Sequence, residues 1–207
     1  MPNRRNPLRR TAGAASLRSV SYQQDDSGTF TPVSWNICSG RNGGLESAAR
    51  TLGSLGVDCT FLQETKLKDG IYSCNTGGYL VIATQVGSRS QGGVTLCWKE
   101  LERFIVEEQC TRGANIITCQ LVTGKGRYCV IGCYISPHDT ATVNNIEKAI
   151  HECLRGCIPM LMGDLNINFE DPRDARDDKV TEILDAQNFF DTSRCFRQHR
   201  AYNLKGR

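Results

Sequence analysis

Between Val33 and Glu64 the spacing of apolar residues changes twice, and this change restricts the possible folds more than any other stretch of the chain. Val33-Ser34-Trp35-Asn36-Ile37-Cys38 alternates apolar and polar side chains as a strand does, and Ser39 to Gly44 is loop chemistry. Leu45, Ala48, Ala49, Leu52 and Leu55 then mark one face of a helix, with Gly56 at a C-terminal cap position. Asp58 to Glu64 returns to strand, with Thr60, Leu62 and Glu64 on a shared face. A strand-helix-strand unit predicts two parallel strands whose ends carry Asn36 and Glu64 at the same side of the sheet.

The middle of the chain reads as strands at Tyr79–Thr84, Gly93–Trp98, Phe104–Glu107, Ile116–Val122 and Tyr128–Ile135, joined by turns as antiparallel hairpins. A second helix is expected from Thr140 to Arg155, with Asp139 or Thr140 as its cap and Val143, Ile146, Ile150 and Leu154 on its apolar side. Ile158 to Asn168 follows, an apolar run suited to a strand buried on both faces that ends in Gly163-Asp164-Leu165-Asn166. Asp164 and Asn166, two apart, would share a face at the carboxyl end of that strand, and a local turn is the competing reading. A helix from Asp174 to Asn188, with Val180, Ile183 and Leu184 inward, closes the ordered region. Two βα units bracketing hairpins predict an α/β sandwich of face-to-face sheets with helices outside.

The chain's 207 residues, 39% of them hydrophobic and 23% charged, suit one domain with a substantial core. Its net charge of +3 neither demands nor opposes a polyanionic partner. Residues 1–29 read as a disordered basic arm: up to residue 24 they carry Arg4, Arg5, Arg9, Arg10 and Arg18 and no acid. A nucleic-acid-contacting arm and a mitochondrial transit segment are the functional alternatives. No stretch is long and apolar enough to span a bilayer. The eleven cysteines contain no C-x-x-C pair. They read as buried, unpaired thiols, because a zinc site needs four convergent ligands and no His pair accompanies them. So many thiols point to a reducing, nuclear or cytoplasmic compartment.

Taken singly, the chemistry-bearing residues have ordinary explanations. Glu64 can be a solvated strand end, Asn36 a turn initiator, Tyr134 a packing residue with a wet tip. His138 can be a loop histidine, while His151 sits within a helix and His199 in a basic tail. Taken together, Asn36, Glu64, Tyr134, Asp164 and Asn166 all fall at expected strand ends. In order and spacing, Trp35-Asn36-Ile37, Leu62-Gln63-Glu64-Thr65, Gly92-Gly93-Val94, Tyr134-Ile135-Ser136-Pro137 and Gly163-Asp164-Leu165-Asn166 resemble the endonuclease/exonuclease/phosphatase (DNase I-like) superfamily. Within it the chain is most similar to the apurinic-type endonuclease domain of non-LTR (LINE-like) retrotransposons.

The resemblance covers about Phe30 to Asp191, within a domain expected over 30–197 and followed by a tail at 198–207. It implies a four-layer α/β sandwich and Mg²⁺- (or Mn²⁺-) dependent hydrolysis of DNA phosphodiesters. It implies that Glu64 binds the metal with help from Asn36, that Tyr134 holds the scissile phosphate, and that Asp164 orients or deprotonates the attacking water beside Asn166. It also implies a reverse-transcriptase partner domain in a complete element. The family's further Asp and its Ser-Asp-His motif, downstream of the Gly-Asp-Leu-Asn strand, have no counterpart here, since His199 follows Gln198. The resemblance therefore predicts a sandwich incomplete at its C-terminus, either an active endonuclease or a catalytically impaired relic that keeps metal or nucleic-acid binding.

Overall fold

The computed structural model describes residues 30–67, 70–73, 78–84, 92–101, 104–137, 139–153, 156–169 and 171–189. The arm expected at 1–29, the tail at 198–207, and His138, Leu154 and His199 lie outside them. β1 (Pro32–Asn36) leads into α1 (Gly44–Ser54) and returns as β2 (Cys59–Gln63). β1 and β2 pair in parallel with Asn36 opposite Gln63, as the period change predicts. Leu45, Ala48, Ala49 and Leu52 of α1 are buried, but Leu55 is 69% exposed. The helix stops one residue sooner than its apolar spacing suggests. Val57 and Gly56 donate to the Leu52 and Gly53 carbonyls, Gly56 adopts φ 68°, and Val57 fills the position expected of Leu55.

β3 (Gly70–Ser73), which has no clear alternation, joins β4 (Tyr79–Ala83) and β5 (Val94–Lys99) in a five-stranded sheet ordered β1-β2-β5-β4-β3. β6 (Phe104–Thr111), β7 (Ile116–Thr123), β8 (Gly126–Tyr134) and β9 (Ile158–Asp164) form the second sheet in that order. β6 runs past Glu107, across a register shift between Glu107 and Cys110. α2 (Thr140–Cys153) and α3 (Ala175–Ala186) complete the elements. The Asp139 side chain accepts from the Thr142 N–H, and the Asp174 side chain from the N–H groups of Arg176 and Asp177, so an Asp caps α2 and another caps α3.

Three cores stack through the molecule. Phe61, Leu96, Trp98, Phe104, Ile117, Leu121 and Tyr134 fill the space between the sheets. Leu62, Tyr79, Val81 and Cys97 pack under α1. Ile116, Ile131, Cys133 and Ile135 pack under Val143, Ile146 and Ile150 of α2 and Val180, Ile183 and Leu184 of α3. The layers are thus helix, sheet, sheet, helices. Both sheets are mixed, because β1-β2 and β8-β9 are parallel pairs in otherwise antiparallel sheets.

Two expectations need correction. β9 is not buried on both faces: among the described residues it is an edge strand with β8 as its neighbour, most of it is half-buried, and Ile158 is 55% exposed. An apolar run alone does not distinguish a central strand from an edge strand with one covered face. The cysteines are not all unpaired, buried thiols either. Cys129 on β8 and Cys153 at the end of α2 form a disulfide with Cα atoms 5.5 Å apart, and Cys38 and Cys110 are exposed. Packing of α2 across β8 joins cysteines 24 residues apart, which spacing along the chain does not reveal. No helix among the described residues is long and apolar enough to cross a membrane.

Candidate active site

Parallel pairing within each sheet, with the sheets face to face, brings the carboxyl ends of β1, β2, β8 and β9 to one rim of the sandwich. The close approach depends on glycine at two positions. A Cβ on Gly132 would overlap the Phe61 ring, and one on Gly163 would overlap the Cys133 carbonyl. Gly132 thus lets Phe61 of β2 lie against β8. Gly163 lets β9 run beside β8 in the register that sets Asp164 opposite Tyr134.

Glu64 follows β2 but does not continue its alternation. Leu62 faces α1, whereas Glu64 adopts φ 55° and reaches across to Tyr134. The expected shared face of Leu62 and Glu64 is therefore broken by a left-handed residue, a conformation uncommon outside glycine. The turn is held by backbone bonds, from Thr65 N–H to the Gly93 carbonyl and from Lys66 N–H to the Gly92 carbonyl.

At the rim, the Asn36 amide Nδ2 donates to Glu64 Oε1 at 3.0 Å and to Asp164 Oδ2 at 2.9 Å. The Tyr134 hydroxyl donates to Glu64 Oε1 at 3.1 Å. The Lys66 ammonium lies 3.6 Å from Glu64 Oε2. Asn36 Oδ1 accepts from the Cys38 N–H, so its amino group, not its carbonyl, faces the two carboxylates. Four of the five singled-out side chains thus form one hydrogen-bonded cluster drawn from both sheets.

The fifth, Asn166, is placed differently from expectation. It adopts φ 50° beyond the end of β9, so it does not share a strand face with Asp164. Its backbone N–H donates to Asp164 Oδ1 at 3.2 Å and its Nδ2 to the Ile135 carbonyl at 3.0 Å. Gly163–Asn166 is a turn after β9, and its hydrogen bond from the Asn166 N–H orients the Asp164 carboxylate.

The Asn36 hydrogen bond, countered in part by burial and reinforced by Tyr134 and Lys66, holds Glu64 below the ordinary carboxylate range. Burial, with the Glu64 charge beside it, pushes Tyr134 up to about 12. Around neutral pH the pair is therefore a carboxylate and a protonated phenol that donates. Mg²⁺ takes hard oxygen ligands and needs only one or two carboxylates, with water and phosphate completing its octahedron. Glu64 fits this requirement, because its charge is secured and Asn36 and Tyr134 engage only Oε1. The described residues contain no cluster of three or more His, Cys, Asp or Glu placed for a metal.

Several supporting residues carry no sequence signal. Asn115 is buried; its Oδ1 accepts from Gly93 N–H at 3.0 Å and its Nδ2 donates to Asp139 at 3.1 Å. It ties the Gly92-Gly93 loop behind Glu64 to the cap of α2, through partners 22 and 24 residues away. Arg173 and Arg176 each donate to the Asn166 carbonyl at 2.9 Å and pair with the fully buried Asp177. Lys66 is two residues beyond Glu64, and its neighbourhood to that carboxylate was the one available clue.

No protein-family model and no curated protein matches the sequence. Solved structures do match. An AP endonuclease from Archaeoglobus fulgidus superposes with a TM-score of 0.60 at 16% identity, over 86% of this chain and 80% of that one. The endonuclease domain of TRAS1, a telomere-specific non-LTR retrotransposon, gives 0.58 at 14% identity, over 76% and 71%. An endonuclease/exonuclease/phosphatase family protein from Leptotrichia buccalis gives 0.52 at 14% identity, over 79% and 74%. At such identities the likeness is one of fold, and it agrees with the layered pair of mixed sheets: the chain has the DNase I-like fold of the endonuclease/exonuclease/phosphatase superfamily.

Proposed function

We propose that this chain is a Mg²⁺- (or Mn²⁺-) dependent phosphodiesterase acting on DNA, an endonuclease domain of the kind carried by non-LTR retrotransposons. The observation that carries the proposal is the cluster in which Asn36, Glu64, Tyr134 and Asp164 join across the two sheets. The fold shared with an AP endonuclease and the TRAS1 endonuclease domain supports it.

Glu64 would hold the metal, with Asn36 fixing the orientation of its carboxylate. When bound, the ion would neutralise charge developing on the phosphate. The Tyr134 hydroxyl, kept protonated, would donate to a non-bridging phosphate oxygen, where a preorganised donor is most effective. Asp164, steered by Asn36 and the Asn166 N–H, would accept a hydrogen bond from the attacking water and take its proton. The new bond is water oxygen to phosphorus and the broken one is phosphorus to the leaving sugar oxygen. In a complete element such a domain would work beside a reverse transcriptase.

Nicking of supercoiled plasmid with Mg²⁺ tests the proposal. The unmutated protein should nick, and Glu64→Ala and Asp164→Ala should each slow nicking at least about a hundredfold. Nicking that survives both substitutions overturns the site. An unmutated protein that binds metal or DNA without nicking would instead be the impaired relic.

A further inference from the structure

Glu64 divides its two oxygens between different partners. Oε1 receives both neutral donors, Asn36 and Tyr134, while Oε2 faces the Lys66 ammonium at 3.6 Å. The backbone of Lys66 is pinned: its N–H donates to Gly92, its carbonyl accepts from Arg41 Nε at 2.6 Å, and its φ is 54°. Its side chain makes the ion pair with Glu64. It is 26% exposed at the rim and carries its charge on a flexible four-carbon stem. Lys66 therefore holds a cation at the one Glu64 oxygen left for a metal, from a position where only its side chain has to move.

We infer that Lys66 is a positioning residue that exchanges partners: it pairs with Glu64 Oε2 until a divalent cation takes that oxygen, and then its ammonium turns to the phosphodiester. This inference rests on the metal-binding role proposed for Glu64. A dication and an ammonium beside one carboxylate oxygen repel each other, so metal loading must displace Lys66. A phosphodiester anion at the rim offers the displaced ammonium a new partner. Metal and phosphodiester then bind cooperatively, and the coupling is reciprocal because it is a free energy linking two sites.

The test is binding of Mn²⁺ alone, followed by the paramagnetic signal of the free ion, with and without diethyl phosphate as a soluble phosphodiester. Lys66→Met should bind Mn²⁺ about tenfold more tightly than the unmutated protein when no phosphodiester is present. Diethyl phosphate should tighten Mn²⁺ binding to the unmutated protein more than it tightens binding to Lys66→Met. Lys66→Arg, which keeps the charge, should behave as the unmutated protein does, an outcome a purely structural lysine would not produce. Lys66→Gln provides a second neutral variant should Lys66→Met fail to fold by circular dichroism. Neutral variants that bind Mn²⁺ no more tightly than the unmutated protein overturn the exchange, even where Glu64→Gln abolishes binding and the metal site stands. If Glu64→Gln binds Mn²⁺ as well as the unmutated protein does, the metal role of Glu64 falls and the exchange falls with it.

Discussion

Tyr134 shows how one side chain serves packing and chemistry together. Its ring lies in the core between the sheets, and only its hydroxyl reaches the rim to meet Glu64. Tyr134→Phe keeps the ring and removes the donor, so the fold should persist while the single-turnover nicking rate falls about a hundredfold. The pH dependence has a definite sign. Tyr134 is pushed up to about 12, so its donor is present at all lower pH and contributes no alkaline loss of activity near its ordinary value of 10.0. Glu64 is held below the ordinary carboxylate range, so the fall in activity that comes from its protonation should appear at more acid pH than for an unperturbed glutamate. A pH-rate profile of the unmutated protein set against Tyr134→Phe separates the two groups. A loss near pH 10 present only in the unmutated protein would contradict the assignment.

At the scale of elements, the turn after β9 is braced from behind by the start of α3. Asp177 is fully buried and receives Arg176, the Arg173 side chain, and the N–H groups of Arg173 and Asn168. Burial alone would favour its neutral form, but these bonds outweigh it and hold its acidity well below the usual carboxylate range. A depressed folded-state pKa contributes stability that is fully present above the unfolded value, about 3.9, and is lost as the pH falls through the folded one. Asp177→Ala leaves two arginines facing a vacated carboxylate position and should cost about 3–5 kcal/mol in urea unfolding at pH 7. The difference between variant and parent should shrink as unfolding is repeated at pH values below 4. The variant should also nick poorly, because the Asn166 carbonyl that Arg173 and Arg176 hold belongs to the turn that aims Asp164.

For the molecule as a whole, two features set the conditions under which it holds together. The Cys129–Cys153 disulfide closes a loop with a sequence separation of 24, joining the outer helix layer to its sheet. Reduction should lower unfolding stability by roughly 3 kcal/mol on the chain-entropy argument, read as a shift in the urea midpoint with and without dithiothreitol. Among the described residues β1 and β9 are sheet edges, and Trp35 and Ile158 on them are 39% and 55% exposed. Unpaired edges with apolar side chains template association. Trp35→Lys and Ile158→Lys together should reduce the mass measured by light scattering at high protein concentration, whereas an unchanged mass would show that these edges do not associate.

The sequence alone determined the order of the elements other than β3, the parallel start and the helix faces, because side-chain period and turn chemistry are local properties. Leu45, Ala48, Ala49 and Leu52, Val143, Ile146 and Ile150, and Val180, Ile183 and Leu184 are buried as their spacing requires. Tertiary structure decided what depends on residues distant in the chain. It turned Glu64 off its strand face toward Tyr134, 70 residues away, made Asn36 the bridge to Asp164, 128 residues away, and left β9 at an edge. It also paired Cys129 with Cys153 and set Lys66 against Oε2 of Glu64. Periodicity states which side of its own strand a residue faces. Which charge or donor waits there depends on how the two sheets stack.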